Sequence, residues 1–142
     1  MKSHRLVALI AVIQLGCSSS PPPPAAPALG QVARFAVTPL TEAMIGNWDA
    51  PNALSLQFKK IDDQIELSGP SNEQWRVDIT EAETKDDALH FVLKNQMLNN
   101  ASHPLNGVPC QCVARTEGET LVVEMKSRLM PQPRKLTLKR SQ

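Results

Sequence analysis

The sequence predicts an all-β domain, a small antiparallel meander barrel of about eight strands, set behind an N-terminal signal and a proline-rich tether. Two observations predict the fold class. Apolar and polar residues alternate with period two in six short runs, and clusters of turn-forming residues separate those runs. A third sets the size: what remains after the signal and tether is about 110 residues, enough for one domain of ordinary dimensions.

The chain opens on a basic start, Lys2, His4 and Arg5, followed by an unbroken apolar run from Leu6 to Ile13, LVALIAVI. A helix needs roughly 20 apolar residues to cross a hydrocarbon core about 30 Å thick, so this run is too short to span. It suits the apolar region of a secretory signal, typically about 7–15 residues. Gln14-Leu15-Gly16-Cys17 comes next. Gly16-Cys17 resembles the core of a bacterial lipoprotein signal, with Gln14 standing where that family usually has leucine.

The resemblance implies cleavage before Cys17, so that residues 1–16 are a signal peptide and Cys17 becomes a lipidated N-terminus. Its thiol would carry a diacylglycerol and its new amine a further acyl chain. Each buried methylene contributes about 0.8 kcal/mol and a single chain holds only marginally, which is why several chains are used. Ser18 resembles the residue found there in lipoproteins sorted to the outer membrane, which implies the periplasmic face of that membrane. The competing readings are an ordinary secretory signal with an incidental cysteine and an uncleaved apolar helix.

Residues 17–38 read as the tether. Ser18 to Ser20 and Pro21 to Pro24 cannot build a core, and such a segment makes a stiff spacer of about 3.1 Å per residue. Residues 39–142 read as the barrel domain. A short helical turn is expected around Thr38 to Met44, then a strand around Ile45 to Trp48. Leu54, Leu56 and Phe58 share one strand face, and Ile65 with Leu67 repeats the pattern before a strong turn signal from Ser68 to Asn72. Trp75, Val77 and Ile79 follow, then Leu89, Phe91 and Leu93. Asn95 to Gly107 reads as a loop, and its Asn100-Ala101-Ser102 is a glycosylation sequon without meaning in a bacterial envelope. Val108 to Arg115 is the next strand, then Leu121/Val123/Met125 and Leu136/Leu138. Asp62-Asp63 and Glu117-Gly118 are tight enough for hairpins.

Gly46-Asn47-Trp48 and Arg140 resemble two features of the lipocalin-like (calycin) barrels: the Gly-x-Trp that opens their first strand and the arginine on their last. The resemblance implies that Trp48 plugs one end of the barrel with Arg140 packed over it, Gly46, Trp48 and Arg140 acting as a fold staple. A guanidinium on an indole face gains about 0.5–2 kcal/mol. Binding of an apolar ligand is a further implication. The composition points the same way, since the chain has no tyrosine, two tryptophans and three phenylalanines. A sugar cleft would carry more aromatic platforms, whereas aliphatic side chains suit an acyl chain.

Cys110-Gln111-Cys112 is the one stretch that points to chemistry. In a strand both thiols face one side, with Val108 and Ala114. They can be two small buried thiols. They can be bonded to each other, as an oxidising compartment favours, but neighbours at i and i+2 of a regular strand lie too far apart for a disulfide without a bulge. Or two thiolates can hold a soft metal such as Cu(I), with Met97 or His103 as an extra ligand.

Lys+Arg number 15 and Asp+Glu 14, a net charge of +1, and a nucleic-acid partner would need a clear basic excess. Arg134, Lys135, Lys139 and Arg140 cluster in sequence, as a solvated strand edge or a weak contact for anionic headgroups. His90 alternates out of the Leu89/Phe91 face and reads as solvated. Asp62-Asp63 and Asp86-Asp87 read as turn residues. No serine sits in a nucleophile elbow and no glycine loop cradles phosphate. The expectation is therefore a non-enzymatic lipoprotein without a cofactor or resident metal. Anchored in the outer membrane, it would bind an envelope protein or a small apolar ligand. The alternatives are a pilotin-like factor that captures a secretin's C-terminal segment and a copper-handling protein using Cys110 and Cys112.

Overall fold

A computed structural model describes residues 30–141, and the expected signal and the expected lipidation at Cys17 lie outside them. Alternating side chains build nine strands and one helical turn. These are β1 (Ala33–Ala36), α1 (Pro39–Glu42), β2 (Gly46–Ala50), β3 (Leu54–Ile61), β4 (Gln64–Ser68), β5 (Trp75–Lys85), β6 (Ala88–Met97), β7 (Cys110–Glu117), β8 (Thr120–Lys126) and β9 (Arg134–Arg140). They form one sheet in the order β1-β4-β3-β2-β9-β8-β7-β6-β5, with every ladder antiparallel.

The meander runs from β2 to β9 and closes on itself where Trp48 and Asp49 pair with Arg140 and Lys139. A gap between β4 and β5 is narrowed by β1, which pairs with β4 along its whole length and leads the chain past β5. There the Ile79 N–H donates to the Gln31 carbonyl at 2.9 Å. The result is a nearly closed antiparallel barrel.

This corrects the expected domain boundary. The sheet starts at Ala33, inside the stretch read as tether, and this first strand takes the expected count from about eight to nine. Ala33 and Phe35 point inward and Arg34 and Ala36 outward, too few alternations to register as a period. Phe35 meets Phe58 edge-on, with ring centroids 6.5 Å apart, an arrangement that favours aromatic pairs. The helical turn is the expected one, shortened to four residues. Thr38 caps it by accepting from the Thr41 N–H, while Thr41 Oγ1 accepts from the Thr38 N–H at 2.8 Å.

Tight hairpins follow from the carboxylate turns. Asp62, Asp86 and Asp87 all sit at positive φ, between 51° and 57°, where Asp tolerates the left-handed region better than most residues. These hairpins, the β7–β8 turn and α1 occupy one end of the barrel. The β2–β3 turn, the loops β4–β5, β6–β7 and β8–β9, and the entry of the chain at Gly30 occupy the other end, here called the mouth.

Between the ends the interior is filled. Trp48, Phe58, Met44, Ile65 and Leu67 are each at most 1 % exposed, and Leu89, Leu121, Val123 and Leu138 are fully buried. The basic cluster of the sequence is divided by the length of β9. Arg134, opposite Met125, lies toward the mouth, and Arg140, opposite Trp48, lies at the helical end.

Two stability outcomes follow. Phe35→Ala should cost about 3 kcal/mol in urea unfolding, as for other buried phenylalanines. A chain starting at residue 30 should unfold at the same urea midpoint as the whole polypeptide. One starting at residue 39 should unfold earlier or associate through the bared edges of β4 and β5.

Candidate functional site

At the helical end, Arg140 meets Gly46 and Trp48, which lie far earlier in the sequence. The Arg140 guanidinium carbon stands 4.2 Å from the Trp48 ring centroid. Its two terminal nitrogens donate to the Ile45 and Ala43 carbonyls, the latter at 2.9 Å, so they occupy carbonyls at the end of α1 that the helix itself leaves free. The indole N–H of Trp48 donates to the Met44 carbonyl at 2.7 Å. Gly46, at φ +135°, leaves room for the guanidinium, which a Cβ there would strike. One cation and one indole thus tie α1, β2 and β9 together.

At the mouth, a cleft of about 270 Å³ lies between the β2–β3 turn, Pro70 and the ends of β6 and β8, with Leu54, Val77, Leu93 and Met125 on its apolar side and Asn52 and Asn95 on its polar side. Drug-sized ligands occupy roughly 300–1,000 Å³. The filled interior offers an acyl chain no deeper path.

Around the mouth, loop 98–109 is tied down by Asn106. Its Oδ1 accepts from the Met97 N–H at 2.7 Å, and its amide nitrogen donates to the Asn100 carbonyl at 2.9 Å. Gly107, at φ +70°, donates its N–H to the Asn95 carbonyl at 3.0 Å. This order leaves Leu98 and Leu105 exposed; Leu129, in loop 127–133, is exposed as well. Sequence reasoning missed these leucines. The readable signal was apolar residues placed inside loops, where the alternation gives them no inward position.

Cys110 and Cys112 both face the core, as do Val108 and Ala114. β7 keeps regular register with β6 at both cysteines and with β8 at Cys112. The bulge that a disulfide would need is absent from this strand, and both are free thiols. Cys112 Sγ donates to the Cys110 carbonyl at 3.6 Å. Among the described residues, His103 does not group with the two cysteines as metal ligands. The His103 ring lies edge-on to Trp75, and its Nδ1 accepts from the Leu105 N–H at 3.2 Å. Among the described residues there is no group of three or more His, Cys, Asp or Glu side chains that could hold a metal ion.

The thiols titrate as a pair. Hydrogen bonding from Cys112 draws Cys110 down to about 7, against burial, which pushes it up, and with a smaller contribution from the backbone of Lys126. Cys112 moves strongly upward, because its proton is held by Cys110 and burial opposes a second charge.

On the outer wall, β5 carries a bulge between Thr80 and Glu83, with Glu81 at φ +56°. Beside it an open cleft of about 540 Å³ is bordered by Glu81, Glu83, His90, Gln111 and Val113. His90 departs from its expected solvation: its Nε2 is closed off from water and has no hydrogen-bond partner. The side chain does leave the core face, and His90 pairs with Glu83 directly beside the bulge. The sequence marks this bulge where Glu81-Ala82 shifts the alternation by one residue. One imidazole and two carboxylates without an outward-facing nucleophile make no familiar catalytic group.

No family model, no curated protein and no solved structure matches this chain.

Two measurements probe these groups. Arg140→Ala should lower stability by about 1–2 kcal/mol, from the lost stacking and two lost solvent-accessible hydrogen bonds. Arg140→Lys should recover less than half of that, because an ammonium cannot reach both carbonyls from a stacked position. Absorbance at 240 nm should show one thiolate forming near pH 7, and Cys112→Ala should move that step above 9.0, since burial then outweighs the Lys126 backbone contact. The sign for stability follows. Between about pH 7 and 9 the unfolded chain holds two thiol protons and the native one, so stability rises with pH. Above 9 the native state alone retains a proton, and stability falls.

Proposed function

We propose that this protein is a non-enzymatic lipoprotein, anchored through Cys17 on the periplasmic face of a bacterial outer membrane, whose barrel is a binding module. The anchor rests on sequence: Gly16-Cys17 directly after LVALIAVI, then Ser18 and a run of prolines. The lipocalin-like reading is supported by the meeting of Gly46, Trp48 and Arg140 at one barrel end.

The observation that carries the choice of task is the filled interior. With Trp48, Phe58 and Met44 at most 1 % exposed and a mouth cleft of about 270 Å³, an apolar ligand has only a shallow seat. The barrel acts through its surface, which favours an envelope partner over a small molecule carried inside.

The pilotin-like reading is favoured by one feature, the seam between β1 and β5. These strands form no ladder with one another in a sheet otherwise paired throughout. A segment of another protein could add there as a strand.

Intact mass of the protein extracted from membranes should show a chain beginning at Cys17 with added acyl mass. Cys17→Ser should abolish that mass and release the barrel from the membrane fraction. A polypeptide that begins elsewhere and carries no acyl mass rejects the anchor. Under the pilotin-like reading, the same substitution should also mislocalise the partner secretin.

A further inference from the structure

We infer that the mouth of the barrel is a bilayer-docking face whose loops rest against anionic lipid headgroups. The proposal builds on the anchoring reading above and adds which end of the barrel meets the lipid. Three independent observations carry it.

The first is the placement of apolar surface. Among the described residues, the exposed large hydrophobic side chains are Leu98, Leu105 and Leu129, at 44, 44 and 48 %. All three project from mouth loops and none from the opposite end. Isolated exposed leucines carry no message, but their confinement to one end does. Loop 98–109, pinned by Asn106, presents two of them on an ordered frame, so little ordering is left to occur on contact.

The second is charge. Lys126, Arg128 and Arg134 lie on or beside the loop that carries Leu129, and Glu73 is the one carboxylate within the four mouth loops. The opposite end is net acidic, with Asp62, Asp63, Asp86, Asp87, Glu117 and Glu119 at its three hairpin tips outnumbering Lys85, Lys139 and Arg140. An anionic surface attracts one end and repels the other, which orients the barrel over distances of about 8–10 Å at ordinary salt.

The third is the path of the chain. Gly30, the first described residue, lies at the mouth beside Val77 and Ser71, where its N–H donates to Ser71 Oγ at 3.3 Å. Twelve residues separate it from Cys17, a reach of at most about 47 Å when fully extended. A lipid on Cys17 therefore joins the bilayer to the chain at the mouth and not at the acidic end. Leucines among basic residues are the combination that lies in a headgroup interface.

The two tryptophans provide a built-in test, since Trp75 stands at the mouth and Trp48 is buried under Arg140 at the far end. The full chain, extracted with its anchor, is reconstituted into phosphatidylethanolamine–phosphatidylglycerol vesicles containing a spin label at carbon 5 of the acyl chain. Expected are a loss of up to about half of the tryptophan emission, little loss in Trp75→Phe, and restored emission when Arg128→Glu and Arg134→Glu are combined with Leu105→Ser. Circular dichroism checks that each variant is folded. Emission unaffected by the spin label, or equal quenching with and without Trp75, overturns the proposal. So does quenching that requires an added envelope protein. Intact mass on the same vesicles reads the anchor separately: a missing acyl mass rejects the anchor, while an acylated protein with an unquenched Trp75 rejects the docking face.

Discussion

Closure of the sheet between its first long strand and its last is the constraint on which the rest depends. β2 and β9 pair over only two residues, Trp48↔Arg140 and Asp49↔Lys139, too short a ladder to hold a barrel by backbone bonds alone. Arg140 makes up the difference by stacking on Trp48 and satisfying carbonyls at the end of α1. Trp48 in turn fills the space beneath the helix and bonds the Met44 carbonyl. Remove the cation, and two carbonyls lose their donors at the point where the sheet joins itself.

The opposite seam is managed differently. β4 and β5 do not pair, and a four-residue strand from upstream of the meander lies between them, held to β4 by a full ladder and to β5 by little more than the Ile79–Gln31 bond. The barrel is thus strongly joined at one seam and weakly at the other. The weak seam also brings the chain to the mouth, so a device that covers an open sheet edge sets the end of the barrel at which the described chain begins.

The interior explains what kind of function is left. A meander barrel of this size either encloses a cavity or packs it with side chains. Here Trp48, Phe58, Met44 and a shell of leucines and valines fill the space. The paired thiols of β7 belong to that packing. Their face is the core face and their strand is regular, and among the described residues they belong to no group of three or more His, Cys, Asp or Glu side chains that could hold a metal ion. What remains for recognition is the outside: ordered apolar loops at one end, acidic hairpins at the other, and an unpaired seam along one side.

Sequence alone determined the strands with clear alternation, because period two follows directly from the pleat: Leu56/Phe58, Ile65/Leu67, Val77/Ile79, Leu89/Phe91/Leu93 and Leu121/Val123 all point inward as their spacing requires. It also marked Gly46, Trp48 and Arg140 as residues that meet, and the aspartates as turns. It did not show β1, since four residues yield no period, and the partner that gives Ala33 and Phe35 their inward sense lies on β4, about thirty positions away in sequence. Nor could it show that Arg134 and Arg140 part to opposite ends, that His90 Nε2 is closed in beside a bulge, or that three loop leucines and the entering chain share one end. Those are consequences of how strands are ordered around a barrel, and only the tertiary structure sets that order.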